Sequence, residues 1–272
     1  RAQGKIVEAL EQYHMVVDIQ KAKDPDSLSV ASSYTNIGLV YYDLHKLIEA
    51  LDHYHKALDI QKRKARDSLE LAASYMIIGL VYEAQDKLSE ALENYQVALG
   101  ILQRKNPDSL DLASCYSRIG AMYAALNNLD KALEYYNVVL DIRERKAHDT
   151  LDLAECYHNI GLVYKAQGKW AEALVGFQAA FAGRERDLIP SHPDLIGTCY
   201  SIASTAYDLV QLDLALEYAN ILLRKDSKYK YGHLMKGRIL FKMGKLNQAR
   251  ECFETALVLD PGYTDAMLQY LE

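Results

Sequence analysis

Few side chains in this sequence have the types and spacing that acid–base or metal chemistry requires. Glu155 and His158 are three residues apart, so on a helix they would share one face as an acid–base pair or half of a zinc site. His53 and His55 are two residues apart and would point to different faces of a helix. The sequence contains neither a Gly-x-Ser-x-Gly nucleophile motif nor a glycine-rich nucleotide loop. Because a lone half-site is a weak signal, we predict a protein that is not an enzyme, with no catalytic residues, cofactor or metal.

The cysteines lack the close paired spacing of a zinc site. Cys115, Cys156 and Cys199 follow one another at long intervals, each directly before a tyrosine in the same slot of a repeat. We interpret them as small apolar residues buried between helices. The cysteine content favours a reducing compartment, and we predict a cytoplasmic protein.

The elements that position these side chains belong to a long internal repeat. The pattern that begins Tyr34, Ile37, Gly38 and Tyr41 returns at a constant interval, from Tyr75, Tyr116 and Tyr157. A fixed period of this length is typical of a solenoid, in which each unit buries its apolar face against its neighbours. Such an architecture favours a binding surface over an enclosed active site.

Each repeat has the pattern of two antiparallel helices. Apolar residues recur at intervals of three and four over residues 28–41 and again over residues 47–60. Asp26 and Ser27 offer oxygen atoms to cap the first helix, and Gly168 would supply the turn between the two helices of a later repeat.

Small residues in the repeat predict close packing within each hairpin. Gly38 and its equivalents should face the second helix, opposite Ala50. A larger side chain at the glycine would force the helices apart, so Gly120→Leu should lower the melting temperature. The repeat tyrosines are expected to fill the space between units.

The charge of the chain argues against nucleic acid as a partner. Its 31 basic and 37 acidic residues give a net charge of −6. Basic clusters such as Lys62-Arg63-Lys64 end the second helices, which would suit either a nucleic-acid stripe or the negative ends of helix dipoles. We favour the dipole interpretation, because an acidic cap follows each cluster. No apolar run is long enough to span a bilayer, so we predict no membrane partner.

The repeat resembles the tetratricopeptide (TPR) family. Near the C-terminus, Gly237, Gly244, Ala249, Phe253, Ala256 and Pro261 have the spacing of a 34-residue tetratricopeptide repeat. The longer units are similar to those of kinesin light chains and nephrocystin-like proteins, as is the link from Ser191 to Leu195. The resemblance implies an all-α, right-handed superhelical solenoid of antiparallel helix hairpins, with about six full units and an N-terminal half unit.

We predict one solenoid over residues 1–272. The fifth unit departs from the pattern: Ala203 and Ser204 replace Ile-Gly, and its turn between Tyr207 and Ala215 is one residue shorter. We therefore expect a change of superhelical pitch around residues 183–232, where the architecture would divide into two segments. The predicted parts are a lone second helix at 1–24, long units at 27–64, 68–105, 109–146 and 150–186, an irregular unit at 194–226, a 34-residue unit at 230–263 and the start of a capping helix at 264–272.

The resemblance also implies that the first helices line a concave groove that binds a peptide. Asn36 and Asn159 match an asparagine that hydrogen-bonds a peptide backbone in related repeats, and Arg118 is suited to a carboxylate. The alternative is that such residues bind neighbouring helices. The groove residues predicted in this way are Asn36, Leu39, Tyr42, Met76, Ile77, Leu80, Arg118, Ala121, His158, Asn159, Leu162, Lys165, Arg238 and Lys242.

The predicted function is therefore a non-catalytic adaptor that holds a protein or peptide segment in its concave groove. Residues 2–20 have the pattern of a second helix without its partner, so the apolar N-terminal end predicts either more chain upstream or a docking surface. Structural self-association through that end is thus one alternative function. A regulatory arm of a longer protein is another.

Overall fold

The computed structural model describes residues 2–146 and 150–261, and the side chains from residue 10 onward within those ranges except that of residue 150. These residues form thirteen α-helices and no strand. The helices are α1 (Ala2–Lys23), α2 (Leu28–Asp43), α3 (Leu47–Lys64), α4 (Leu69–Ala84), α5 (Leu88–Lys105), α6 (Leu110–Ala125), α7 (Leu129–Lys146), α8 (Thr150–Ala166), α9 (Trp170–Asp187), α10 (Pro193–Asp208), α11 (Leu212–Lys225), α12 (Lys230–Lys242) and α13 (Leu246–Leu259).

The helices pack as hairpins in two compact units. Unit 1 comprises residues 1–142, where α2 packs on α3 and α4 on α5, and neighbouring hairpins meet through α3–α4 and α5–α6. Unit 2 comprises residues 143–272, where α8–α9, α10–α11 and α12–α13 are the hairpins. The predicted pairing of two helices per repeat is confirmed. The division between the units falls within α7. The change of superhelical pitch around residues 183–232 stays a prediction.

Serine side chains begin the first helices of unit 1, as the sequence predicts. The hydroxyls of Ser27, Ser68 and Ser109 accept hydrogen bonds from the backbone amides three residues on, at 3.4, 3.1 and 3.0 Å. The aspartate before the serine has another role. Asp26 binds Arg63 at 2.6 Å and Asp67 binds Arg104 at 3.0 Å, so each ties the end of a second helix to the start of the first helix of the same hairpin.

The repeat glycines allow an aromatic ring of the second helix to lie against the first. A Cβ atom on Gly38 would come within 2.6 Å of the ring of Tyr54, and one on Gly79 within 2.5 Å of the ring of Tyr95. The prediction that these glycines face the second helix is confirmed. The group nearest to Gly38 is the Tyr54 ring.

A residue with left-handed backbone geometry lies in the turn of each described hairpin. Gly168 and Gly244 have φ angles of 74° and 75°, which glycine adopts without strain. Val210 holds the same position with a φ of 60°, which is costly for a β-branched residue. His45, Asp86 and Asn127 complete the set.

The fifth hairpin keeps the register of the fourth, with Val210 in the place of Gly168. Both residues have a positive φ, and three residues separate the helices in both hairpins. The amide of Gln211 donates to the carbonyl of Ala206, just as that of Lys169 donates to Tyr164. The extra residue of this unit therefore lies in the link before the hairpin.

This register corrects three sequence interpretations of the fifth unit. Its turn is not shorter, because Tyr207 takes the place of Lys165 and not that of the repeat tyrosine. Residues 202–203, and not 203–204, occupy the Ile-Gly positions. Thr198, and not Cys199, corresponds to Cys156, since each contacts the buried arginine of the preceding helix.

The cysteines pack between helices as predicted. Cys115, Cys156 and Cys199 are buried free thiols, and the Cys115 thiol donates to the carbonyl of Tyr95 at 3.3 Å. Burial raises the pKa of Cys115 and of Cys199 to about 12.

Residues 2–20, predicted as a lone second helix, are helical within α1. Val17 is buried against α2, whereas Met15 and Ile19 are exposed. The side chains of Ile6 and Ala9 lie outside the described residues, as does the predicted capping helix from Asp265 to Leu271.

Candidate functional site

All fourteen predicted groove residues lie on first helices. In unit 1 they are on α2, α4 and α6, and in unit 2 they are on α8 and α12. The structure brings five of them into two clefts: Met76 and Ile77 in unit 1, and His158, Asn159 and Leu162 in unit 2. The other nine line neither cleft.

The cleft in unit 1, which we call the apolar cleft, opens between α4 and α6. It has a volume of about 260 Å³. Met76, Ile77 and Ala73 form one wall and Leu102, at the end of α5, forms its base. Leu69 at the start of α4 and Asp111 and Ser114 of α6 complete the lining. The cleft therefore suits an apolar side chain, with hydrogen-bonding groups on one wall only.

The cleft in unit 2, which we call the polar cleft, occupies the same place in the repeat. It opens between α8 and α10 with a volume of about 580 Å³. Two repeats further along the chain, polar residues take the positions of Ala73, Met76, Ile77 and Leu102. These counterparts are Glu155, His158, Asn159 and Arg184. One backbone framework thus presents an apolar cleft in unit 1 and a hydrogen-bonding cleft in unit 2.

His158 is a neutral imidazole in the polar cleft at physiological pH. Burial, followed by the positive charge of Arg184, lowers the pKa of His158 to about 4, against the opposing effect of Asp194. The Nε2 atom lies 3.4 Å from the Ser201 hydroxyl, and the ring centroid lies 5.2 Å from that of Phe177. A neutral imidazole both donates and accepts, so His158 is suited to a hydrogen bond with an uncharged ligand group.

Arg184 forms the base of the polar cleft and also holds two hairpins together. It is buried, and its Nη1 donates to the carbonyl of Asp194 at 3.2 Å and to the hydroxyl of Thr198 at 2.5 Å. Arg143 repeats the arrangement with Asp152 and Cys156. These arginines therefore have a structural role, and Arg184 also places a positive charge at the base of the cleft.

The predicted polar groove residues Asn36, Asn159 and Arg118 differ in whether other side chains of the protein already bind them. Within the described residues, the side chains of Asn36 and Asn159 have no hydrogen-bond partner, so both amides are available to a ligand. Arg118 instead lies 3.3 Å from Glu83, whose carboxylate also accepts from the Tyr95 hydroxyl at 2.8 Å. A ligand carboxylate at Arg118 must therefore compete with Glu83.

The three remaining charged residues of the predicted groove contact neighbouring side chains in unit 2. Lys165 donates to the Ser204 hydroxyl at 2.6 Å, and burial lowers its pKa despite the opposing charge of Asp208. Arg238 and Lys242 lie over the ring of Tyr207, at 5.1 and 4.4 Å from its centroid. Both residues therefore stabilise the contact between α10 and α12.

Glu155 and His158 share a cleft without forming a pair. The carboxylate of Glu155 is bound by Arg143 at 3.2 Å, which occupies the group that an acid–base pair would use. Among the described residues, no three histidine, cysteine or acidic side chains are placed to share a metal ion. No helix within that part of the chain is long and apolar enough to cross a membrane.

Sequence reasoning missed the contribution of the second helices to both clefts. Leu102 and Arg184 end α5 and α9, whereas the family rule considers first helices alone. The sequence does show this difference between the repeats, because Arg184 stands at the position where an earlier unit has Leu102.

Solved structures of helical repeat proteins resemble this chain at low sequence identity. BtubC (BKLC) from P. vanneervenii has a TM-score of 0.73 at 17% identity, over 84% of this chain and 92% of that one. The apo form of RapI has a TM-score of 0.72 at 14% identity, over 93% and 80%. A protein described as a putative kinesin light chain with nearly identical TPR-like repeats, from Podospora anserina, has a TM-score of 0.64 at 18% identity, over 74% and 97%. These likenesses show a shared fold.

Family models identify the repeats directly. Three models described as tetratricopeptide repeat match residues 1–63, 29–104 and 70–145, residues 153–194, and residues 231–263. Among curated protein sequences, none matches. The matches and the helix hairpins confirm the predicted family and the all-α repeat fold. The chain belongs to the tetratricopeptide repeat family.

Proposed function

We propose that the chain is a non-catalytic scaffold that binds an extended segment of a protein partner on its first helices. An apolar side chain of the partner would enter the apolar cleft. A hydrogen-bonding group would enter the polar cleft, where Asn159 and neutral His158 can contact it. The engagement of Glu155 by Arg143 supports a binding role over acid–base catalysis.

The main observation behind the proposal is that equivalent clefts in two repeats have different linings, one apolar and one polar. The clefts occupy equivalent places in the repeat, yet four equivalent lining positions are apolar in one cleft and polar in the other. Ile77 is partly exposed in the apolar cleft, and the Asn159 amide in the polar cleft has no partner within the described residues. Both features suit a ligand that supplies the missing contacts.

A pull-down from lysate with matched variants tests the proposal. Ile77→Glu places a charge in the apolar cleft, and Asn159→Ala removes the free amide. Ile48→Glu is the control, because Ile48 is 78% exposed on the second helix α3. We expect each cleft variant to weaken capture of the same partner by about tenfold or more, equivalent to about 1.4 kcal/mol. Capture that is equal for all three folded variants would contradict the proposal.

A second candidate function, self-association, is favoured by the exposed apolar residues of α1. Met15 and Ile19 lie one turn apart on that helix and are 64% and 57% exposed. If they join two copies of the chain, Met15→Glu with Ile19→Glu will convert a dimer to a monomer in light-scattering measurements. A wild-type chain that is monomeric at high concentration would exclude this function.

A further inference from the structure

We propose that unit 1 has a second binding site, which takes an acidic segment of a partner protein. The site is the cleft between α3, α4 and α5, which we call the basic cleft. It has a volume of about 560 Å³ and shares no lining residue with the apolar cleft. It therefore lies apart from the site of the proposed function.

The basic cleft combines an apolar floor with cationic walls. Leu71 and Ile101 are buried beneath it, and Val97 is exposed at its surface. Lys62 and Arg66 stand on one side, and none of the described residues that line the cleft is acidic. In a chain with a net charge of −6, this is a local reversal of sign.

The two cations of this wall differ from two other basic residues at the helix ends. Arg63 is bound by Asp26 at 2.6 Å, and Arg104 by Asp67 at 3.0 Å. Within the described residues, Lys62 and Arg66 form no ion pair. Helix dipoles and acidic caps therefore account for Arg63 and Arg104 but leave these two charges unmatched.

Tyr75 adds an unused hydroxyl to the cleft. In the next two repeats its equivalents are bonded: Tyr116 to Gln103 at 2.7 Å and Tyr157 to Glu144 at 3.2 Å. In this repeat Lys62 takes the place of Gln103 and lies 5.6 Å from the centroid of the Tyr75 ring. The Tyr75 hydroxyl has no partner among the residues that the structure describes. It can therefore donate to an anion that Lys62 attracts.

Gly100 opens the cleft where the flanking repeats carry a carboxylate. The equivalent positions in the repeats before and after it hold Asp59 and Asp141. A Cβ atom on Gly100 would meet only the Arg104 guanidinium, at 3.7 Å, so packing does not require glycine here. The glycine instead leaves room beside the cations and removes an acidic group that would neutralise them.

These features define the ligand as a carboxylate-bearing segment with an apolar side chain. Carboxylates would bind Lys62, Arg66 and the Tyr75 hydroxyl, and the apolar side chain would cover Val97 beside Gly100. Electrostatic complementarity of this kind directs a partner to one face of a protein and sets its orientation.

The test measures the binding of a short fluorescein-labelled peptide, in which one leucine stands among glutamates, to the whole chain by fluorescence anisotropy. Lys62→Glu with Arg66→Glu reverses the wall, and Gly100→Asp restores the carboxylate of the neighbouring repeats. We expect each to weaken binding about tenfold or more, while Gly100→Ala binds like the wild type. Lys23→Glu with Lys64→Glu is the matched control, since it changes the net charge equally at exposed helix ends outside the cleft.

Several results would overturn the proposal. These are the absence of binding to the wild type, an equal loss in the control variant, or displacement of the peptide by millimolar inorganic phosphate. Unchanged melting curves ensure that a loss of binding is not unfolding. Because Ile77→Glu should leave this binding intact, failure here is distinguishable from failure of the proposed function.

Discussion

A pair of glycine-to-alanine substitutions in adjacent helices tests the packing of the hairpins most sharply. At Gly79, a Cβ atom would lie 2.5, 2.8 and 2.9 Å from three atoms of the Tyr95 ring. The ring is fully buried and its hydroxyl donates to Glu83 at 2.8 Å, so it cannot move aside without losing that bond. At Gly100, the Cβ atom has room.

The expected effects have opposite signs. Alanine in a helix interior stabilises by about 0.5–1 kcal/mol relative to glycine. Overpacking of a filled core costs about 1–3 kcal/mol. Gly79→Ala should therefore lower the free energy of unfolding by about 1–2 kcal/mol, whereas Gly100→Ala should raise it by about 0.5–1 kcal/mol.

Urea denaturation followed by circular dichroism measures this difference of about 2 kcal/mol through the transition midpoints. Gly120→Ala provides an intermediate case, because its nearest contact to the Tyr136 ring is 3.0 Å. If Gly79→Ala is as stable as Gly100→Ala, the hairpin geometry described for the glycine–tyrosine contact is wrong.

Three further predictions follow from local geometry and burial. Val210→Gly should raise the free energy of unfolding by about 1 kcal/mol in urea denaturation, since Val210 is 61% exposed with a φ of 60°; no gain would contradict the assigned strain. In an NMR titration, the His158 ring should protonate near pH 4, below the ordinary histidine pKa of 6.5. The folded state should therefore lose stability as the pH falls from 6.5 towards 4. A titration midpoint of the ring at or above pH 6.5 would refute its burial. Cys115 and Cys199 should resist a thiol reagent at pH 8 until the protein unfolds, and rapid labelling of both in the native state would contradict their raised pKa values.

The sequence predicts the fold well because its signals are local and repeated. Serine caps and the glycines opposite aromatic rings depend on neighbouring helices that recur in the same order. The fifth unit was misregistered because tyrosine occurs at both Tyr200 and Tyr207, neither of which holds the repeat tyrosine position. The positive φ angle of Val210 shows the correct register, but residue types alone do not indicate that angle.

The candidate site was less predictable, because it depends on which side chains the protein binds itself. The pairing of Arg118 with Glu83 joins residues 35 positions apart that no motif connects. Arg184 was missed because the groove rule considers first helices only. Lys62 was assigned to a helix dipole, and only the lack of an ion pair within the described residues distinguishes it from Arg63.

The most direct test of the central claim is site-specific photo-crosslinking with benzoylphenylalanine at Ile77, at Asn159 and, as a control, at Ile48. The account predicts adducts at the two cleft positions, with the attached peptides mapping by mass spectrometry to the same partner protein. Adducts of equal yield at Ile48, or none at either cleft position while the partner is still captured, would contradict binding on the first helices.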